Sequence, residues 1–288
     1  MIEITTEEEK QVKHPLLLGI YDCMFKAIML DPENRDYLRG MIHYITGIPL
    51  SELENITIEN SDYLINNKQD KKMRSDIIIS VGNRYINIEM NKSYYEGIFR
   101  KDSAYFEKIS ANVYNNSEDY IDAKEVIQIC FDNFSHFEEQ QEIYIFAYKE
   151  VNRNFKLPEN PLRYYINLAY IKKMCYNKPV VNLSIFEKYC LLLLAETSEY
   201  AKVIAGDDIV MKKVSNKLDK LSSDEKMIGL YDAEVEEEKI RRTQIISAQK
   251  QGINEEKRKI AKNLLQQNID INTIITATGL TKKEIESL

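Results

Sequence analysis

Ser75-Asp-Ile-Ile-Ile-Ser-Val-Gly-Asn-Arg-Tyr-Ile-Asn-Ile-Glu-Met-Asn91 reads as a two-stranded β-hairpin. Gly82-Asn83 is a Gly-first two-residue turn of the II′ kind, flanked by β-branched and aromatic residues, and it sets the register. Val81 then faces Arg84. Counting outward pairs Ser80 with Tyr85, Ile78 with Asn87 and Asp76 with Glu89, and alternation puts Asn91 on the face of Glu89. Ile78 apart, that face is polar. Two carboxylates directly opposed across a sheet repel, so this spacing implies a pair left in solvent or a pair given a cation. Mg²⁺ is the natural candidate.

Before the hairpin, Ile20, Tyr21, Met24, Phe25, Ile28 and Met29 follow helical spacing. A second helix opens on Asp31-Pro32, carries the apolar stripe Tyr37, Leu38, Met41, Ile42 and Ile45, and closes at Gly47. Ile56 to Glu59 is a short strand candidate, and the polar loop Asn66 to Lys72 leads into the hairpin. After the hairpin a helix runs from near Tyr94 to about Tyr114. Buried-looking strands follow at Glu125 to Phe131, Glu142 to Tyr148 and Tyr164 to Tyr170. The order helix, three strands, helix, strand predicts an α/β core with a mixed central sheet.

From Phe186 the pattern is helical throughout, which places a boundary near residue 180. Residues 181–231 form a helical extension. Residues 232–265 are rich in Glu, Lys, Arg and Gln, with Ile240, Ile245, Ile246 and Ile253 as a thin apolar stripe, which suits an exposed or self-pairing helix and a homodimer. Residues 266–288 read as two short helices about Gly279, the second opened by the Thr281/Glu284 capping box.

The chain has 288 residues, 44% hydrophobic, enough to bury one good core. No apolar run approaches the roughly 20 residues of a membrane-spanning helix, and Met1 to Pro15 lacks a signal-peptide layout, so no membrane partner and a cytoplasmic location are expected. Cys23, Cys130, Cys175 and Cys190 are scattered among apolar residues and read as buried reduced thiols. His14, His43 and His136 are equally scattered, which argues against a histidine metal centre or nucleophile triad. The net charge of −7 is uneven. Lys239 to Leu288 holds ten basic and five acidic residues, whereas residues 1–238 hold 29 basic and 41 acidic ones. A polyanion therefore meets the tail most easily.

Asp22-Cys-Met-Phe-Lys26, Arg74-Ser-Asp76, Asn87-Ile-Glu-Met-Asn91, Arg100 with Tyr105, Ala261-Lys-Asn-Leu-Leu265 and Thr278-Gly-Leu-Thr281 together resemble the PD-(D/E)XK nuclease family transposases, or recombination-promoting nucleases. The resemblance covers nearly the whole chain in order. It implies a restriction-endonuclease-like core over residues 1–180, an all-helical C-terminal region, and Mg²⁺-dependent (or Mn²⁺-dependent) cleavage of DNA phosphodiesters. Asp76 then corresponds to the first motif acid and Glu89 to the second, with the Met90 backbone carbonyl as a further metal ligand. Supporting positions are Asp22, Lys26, Arg74, Lys92, Arg100 and Tyr105, and the DNA-contacting candidates are Arg241, Arg242, Lys282 and Lys283.

One position departs from the superfamily pattern. Asn91 stands where the motif ends in lysine, and the transposase branch often carries Gln there. An amide can orient water by hydrogen bonding but cannot balance charge on phosphorus. Lys92 is adjacent, yet alternation turns it to the other face. Two readings follow, an active endonuclease and a weak or inactive nuclease fold kept as a DNA-binding or regulatory module. Each supporting residue also has a plainer role. Asp22 and Lys26, four apart on one helix, suit a surface ion pair; Arg100 suits a snorkelling side chain; the terminal helices suit packing as well as groove insertion.

Overall fold

The computed structural model describes residues 15–59, 75–115, 119–135, 137–157 and 161–288. Arg74, His14, His136 and the loop from Asn66 to Lys72 lie outside the described residues. The chain divides into two compact units, Met1–Tyr231 and Asp232–Leu288.

Among the described residues of the first unit six strands form one sheet: β1 (Thr57–Glu59), β2 (Ile77–Val81), β3 (Arg84–Asn91), β4 (Glu125–Asp132), β5 (Ile143–Phe146) and β6 (Leu162–Asn167). Their spatial order is β1-β2-β3-β4-β6-β5. The pairs β3/β4 and β4/β6 are parallel and the other three antiparallel, so the sheet is mixed. The helices are α1 (Asp22–Met29), α2 (Arg35–Thr46), α3 (Ile98–Asn115), α4 (Leu168–Cys175), α5 (Ile185–Leu193), α6 (Ser198–Ala205), α7 (Ile209–Ser222) and the start of α8 (Glu225–Gln266).

The β2–β3 hairpin has the expected register, with Val81 opposite Arg84, Ser80 opposite Tyr85 and Ile78 opposite Asn87. Gly82 supplies the positive φ of 54° that opens this turn. Alternation then gives the sheet two unlike faces. Ile77, Ile79, Val81, Ile86, Ile88, Ile127, Ile129, Phe131, Tyr164 and Ile166 join the main core with residues of α1, α2 and α4–α7. The opposite face carries Ile78, Asn87, Glu89, Asn91, Gln128, Cys130 and Asp132, and α3 covers part of it through Phe106, Ile109 and Val113. The sheet thus buries polar side chains on its α3 side.

Several boundaries differ from the sequence-based expectation. Asp31 caps a 3-10 turn, Pro32–Asn34, before α2 proper begins, and Gly47 closes α2 at φ 76° as expected. Tyr94 and Tyr95 are exposed in the connection to α3, which starts only at Ile98. The segment Tyr164 to Tyr170 is not one strand. β6 stops at Asn167, whose side chain accepts the Tyr170 N–H and caps α4. An Asn N-cap captures the backbone locally, and that overrides the aromatic, β-favouring composition of the segment. All four cysteines are free thiols, and Cys130, Cys175 and Cys190 are buried.

The second unit holds the rest of α8 with α9 (Ile271–Thr278) and α10 (Lys282–Glu286). Ala261, Ile274, Leu280 and Ile285 form its small core. Gly279, at φ 69°, ends α9, and Thr281 and Glu284 make the reciprocal capping box of α10. Among the described residues no helix is long and apolar enough to cross a membrane.

Candidate nuclease site

The last paired residues of the hairpin on this side are Ile77 and Ile88, so Asp76 stands one position beyond the ladder, beside Glu89. Its side chain takes over where the backbone pairing ends, as Oδ2 accepts the Met90 N–H at 2.8 Å. Burial raises the Asp76 pKa, and the nearby Asp22 charge adds to that against the Met90 N–H and Lys26. Glu89 is only 1% exposed, and its Oε1 accepts no hydrogen bond among the described residues. Burial, followed by the charge of Asp76, pushes Glu89 up to about 7. Burial is the larger cause of both shifts, and in Glu89 the charge of Asp76 adds the carboxylate repulsion expected from the spacing.

That pair is neither left in solvent nor without a cation. Lys101, on the first turn of α3, places Nζ 3.3 Å from Glu89 Oε2 and 3.1 Å from Asn91 Oδ1. The same ammonium lies 3.8 Å from Asp102 Oδ1 and 5.2 Å from the centre of the Tyr105 ring. Burial works to lower its pKa, but the charges of Glu89, Asp102 and Asp76 hold it above the ordinary lysine range. Asp102 is itself pushed up to about 6, by burial first and by Asp132 next, against the pull of Lys101.

Asn91 links this group to β4. Its Oδ1 accepts from Lys101 while its Nδ2 donates to Asp132 Oδ1 at 2.7 Å. An ammonium only donates and a carboxylate only accepts, so this amide orientation is the one that satisfies both neighbours. Parallel pairing sets the distance, because Asn91 stands directly beside Asp132 in the β3/β4 register.

The remaining predicted positions spread out. Lys26 pairs with Asp22 at 2.6 Å, and its Nζ is 3.7 Å from Asp76 Oδ1, so the helix ion pair of α1 also borders the site. Lys92 points away as alternation requires, with Nζ 4.2 Å over the Tyr21 ring. Arg100 is exposed, and the neighbouring Lys101 is the α3 cation that reaches the carboxylates. In the second unit Arg241, Arg242 and Lys283 are exposed, and Lys282 pairs with Glu286 at 3.7 Å.

Lys101 was missed in the sequence, although a signal existed. It precedes Tyr105 by four residues, and the helical repeat that brings Asp102, Phe106 and Ile109 onto the sheet carries Lys101 to the same side. Asp102 and Asp132, both 1% exposed, were missed as well. Asp102 is an acid on an otherwise apolar helical repeat, a pattern that marks a buried charge needing a partner, and Asp132 ends the strand face that carries Gln128 and Cys130.

A divalent cation fits part of this arrangement. Two adjacent carboxylates, one with an oxygen buried and unbonded, match the hard oxygen donors that Mg²⁺ and Mn²⁺ prefer. Among the described residues no three His, Cys, Asp or Glu side chains converge in metal-holding geometry, so the fit rests on the Asp76 and Glu89 carboxylates.

Comparison with known families agrees with the fold and extends to the tail. The model of the PD-(D/E)XK nuclease family transposases matches residues 20–248. That of the Rpn/YhgA-like nuclease family C-terminal HTH domain matches residues 254–288. No curated protein and no solved structure matches the chain. With a mixed sheet that sets Asp76 beside Glu89, a helical C-terminal region, and a family match over most of its length, the chain belongs to the PD-(D/E)XK nuclease family transposases.

Proposed function

We propose that the protein is a metal-dependent DNA endonuclease whose site is built on Asp76, Glu89 and Asn91. The observation that carries this reading is the Glu89 carboxylate, buried beside Asp76 with one oxygen unbonded, an expense in stability that a purely structural sheet has no reason to bear. Asp76, Glu89 and the Met90 carbonyl would hold Mg²⁺ or Mn²⁺. When bound, such an ion polarises the phosphate and lowers the pKa of a coordinated water.

Around that position the chain's own residues set the geometry. Met90 N–H orients Asp76, and the bond from Asn91 to Asp132 fixes the end of β3 against β4. Lys26 and Asp22 border the open side, where Asp22 is half exposed and a DNA strand has access. The HTH domain at residues 254–288 supports DNA as the partner. The thin Ile240, Ile245, Ile246 and Ile253 stripe, exposed along α8, supports pairing of two copies so that both strands are cut.

Incubation of the purified protein with supercoiled plasmid and Mg²⁺, Mn²⁺ or Ca²⁺, against chelator, tests the reading. Nicking is expected with Mg²⁺ or Mn²⁺ and is lost in Asp76→Ala and Glu89→Ala. Mg²⁺ should also raise the melting temperature of the wild type and of neither variant, by mass action on the folded state. Plasmid that stays intact under all metals, with no thermal shift, returns the protein to the second reading of a silent DNA-binding module.

A further inference from the structure

Asn91 leaves the end of β3 uncharged, yet the space beside it is not. Four independent contacts converge on the Lys101 ammonium: Glu89 Oε2 at 3.3 Å, Asn91 Oδ1 at 3.1 Å, Asp102 Oδ1 at 3.8 Å and the Tyr105 ring at 5.2 Å. An ammonium has three protons and a flexible four-carbon stem, so it can hold two oxygen acceptors and still turn a third proton outward. The side chain is 27% exposed, whereas Glu89 and Asp102 beneath it are 1% exposed, so the accessible part of this charge cluster is its cation.

We propose that Lys101 is the cation that meets the scissile phosphate, and that Asn91 is the positioning residue that aims it. This deepens the nuclease reading and rests on it. Attack of water on phosphorus forms one P–O bond and breaks another, the water proton passing to solvent or a neighbouring base and the leaving oxygen departing with the bond's electron pair. Negative charge gathers on the non-bridging oxygens between those events. A fixed ammonium beside them stabilises that charge more than it stabilises the ground state. Asn91 suits its neighbour in a way that lysine would not. A lysine at position 91 would set a second ammonium next to Lys101, whereas the amide oxygen accepts the Lys101 proton and the amide N–H ties the assembly to Asp132. The strand position and the helix position therefore carry one charge between them, delivered from α3.

Four full-length variants separate the roles: Lys101→Met, Lys101→Arg, Asn91→Ala and the double change Lys101→Met with Asn91→Lys. Circular dichroism and melting curves show whether each is folded. On supercoiled plasmid with Mg²⁺, Lys101→Met should lower kcat by about 100-fold, within the range for losing one charge-stabilising donor, with KM changed only a few-fold. Lys101→Arg should keep at least about a tenth of wild-type kcat, because its charge persists. Asn91→Ala should lower kcat by about tenfold, the cost of a mis-aimed group, and the double variant should recover at least about tenfold over Lys101→Met.

A second readout does not depend on turnover. Binding of a short duplex in chelator, measured against salt, should lose about 0.9 from its log–log slope in Lys101→Met, the value of one phosphate contact. Wild-type kcat in folded Lys101→Met, while Glu89→Ala is inactive, overturns the proposal and leaves the nuclease reading standing. Plasmid untouched by the wild type, together with a slope unchanged in Lys101→Met, overturns both. Plasmid untouched but a reduced slope sinks catalysis alone and keeps Lys101 as a phosphate contact.

Discussion

Asp76 shows how one side chain serves structure and chemistry together. Its Oδ2 takes the Met90 N–H that the β2–β3 ladder no longer pairs, while its charge is disfavoured by burial. The two substitutions Asp76→Asn and Asp76→Ala therefore differ. Asn keeps an acceptor for Met90 and drops the charge, whereas Ala leaves that N–H unbonded at a cost of about 1–3 kcal/mol. In chelator Asp76→Asn should melt above Asp76→Ala and no lower than wild type, and neither should be stabilised by Mg²⁺. Equal melting of the two variants would show that the Met90 bond contributes nothing. The site residues also mark a limit of local reading. Opposed carboxylates on a hairpin were legible from spacing, but their internal counter-ion comes from a different element.

At the scale of elements, two packing arrangements can be measured. Tyr189 of α5 stacks on Tyr37 of α2 with ring centres 4.7 Å apart, and the Tyr37 hydroxyl donates to the Tyr189 carbonyl at 2.6 Å. Gly40 lets α2 come this close, since a Cβ there would lie 2.9 Å from the Tyr189 ring carbon bearing the hydroxyl. Gly40→Ala should destabilise by about 1–3 kcal/mol despite the better helix propensity of alanine, as urea unfolding will show. The second arrangement opens α5. Glu187 accepts from Lys178 at 2.7 Å and from the Ser184 N–H, within a reciprocal capping box. Burial would raise its pKa, but Lys178, then Ser184 and Cys175, bring it down to about 2. A carboxyl depressed in the folded state contributes stability above its unfolded pKa and loses it as pH falls through the folded value. The stability gap between wild type and Glu187→Gln should be full near about pH 6 and should close between about pH 5 and pH 2. A gap independent of pH would remove Glu187 from the acid limb.

For the molecule as a whole, charge is segregated along the sequence, with a surplus of acids in residues 1–238 and of bases in Lys239 to Leu288. The unit Met1–Tyr231 has its own core, so a chain ending at Glu238 should fold. It should bind DNA more weakly and with a flatter salt dependence, because each lost phosphate contact removes about 0.9 from the log–log slope. The same cut removes the whole exposed isoleucine stripe on α8, and sedimentation should show less self-association than the full chain. Full affinity and full slope in the truncated protein would move the DNA surface onto the first unit.

The sequence by itself determined what rests on near neighbours: the hairpin register from Gly82, the Gly47 and Gly279 helix ends, the Thr281 capping box, and the placing of Asp76 with Glu89. Each depends on residues a few positions apart, where turn chemistry and side-chain alternation leave little choice. Only the tertiary structure decided that β4 sets Asp132 against Asn91 and that Lys101 rather than Arg100 faces the carboxylates. Those outcomes depend on which strand lies beside β3 and how α3 is rotated against the sheet. Both follow from burial of apolar side chains such as Phe106 and Ile109, an energy summed over residues far apart in sequence.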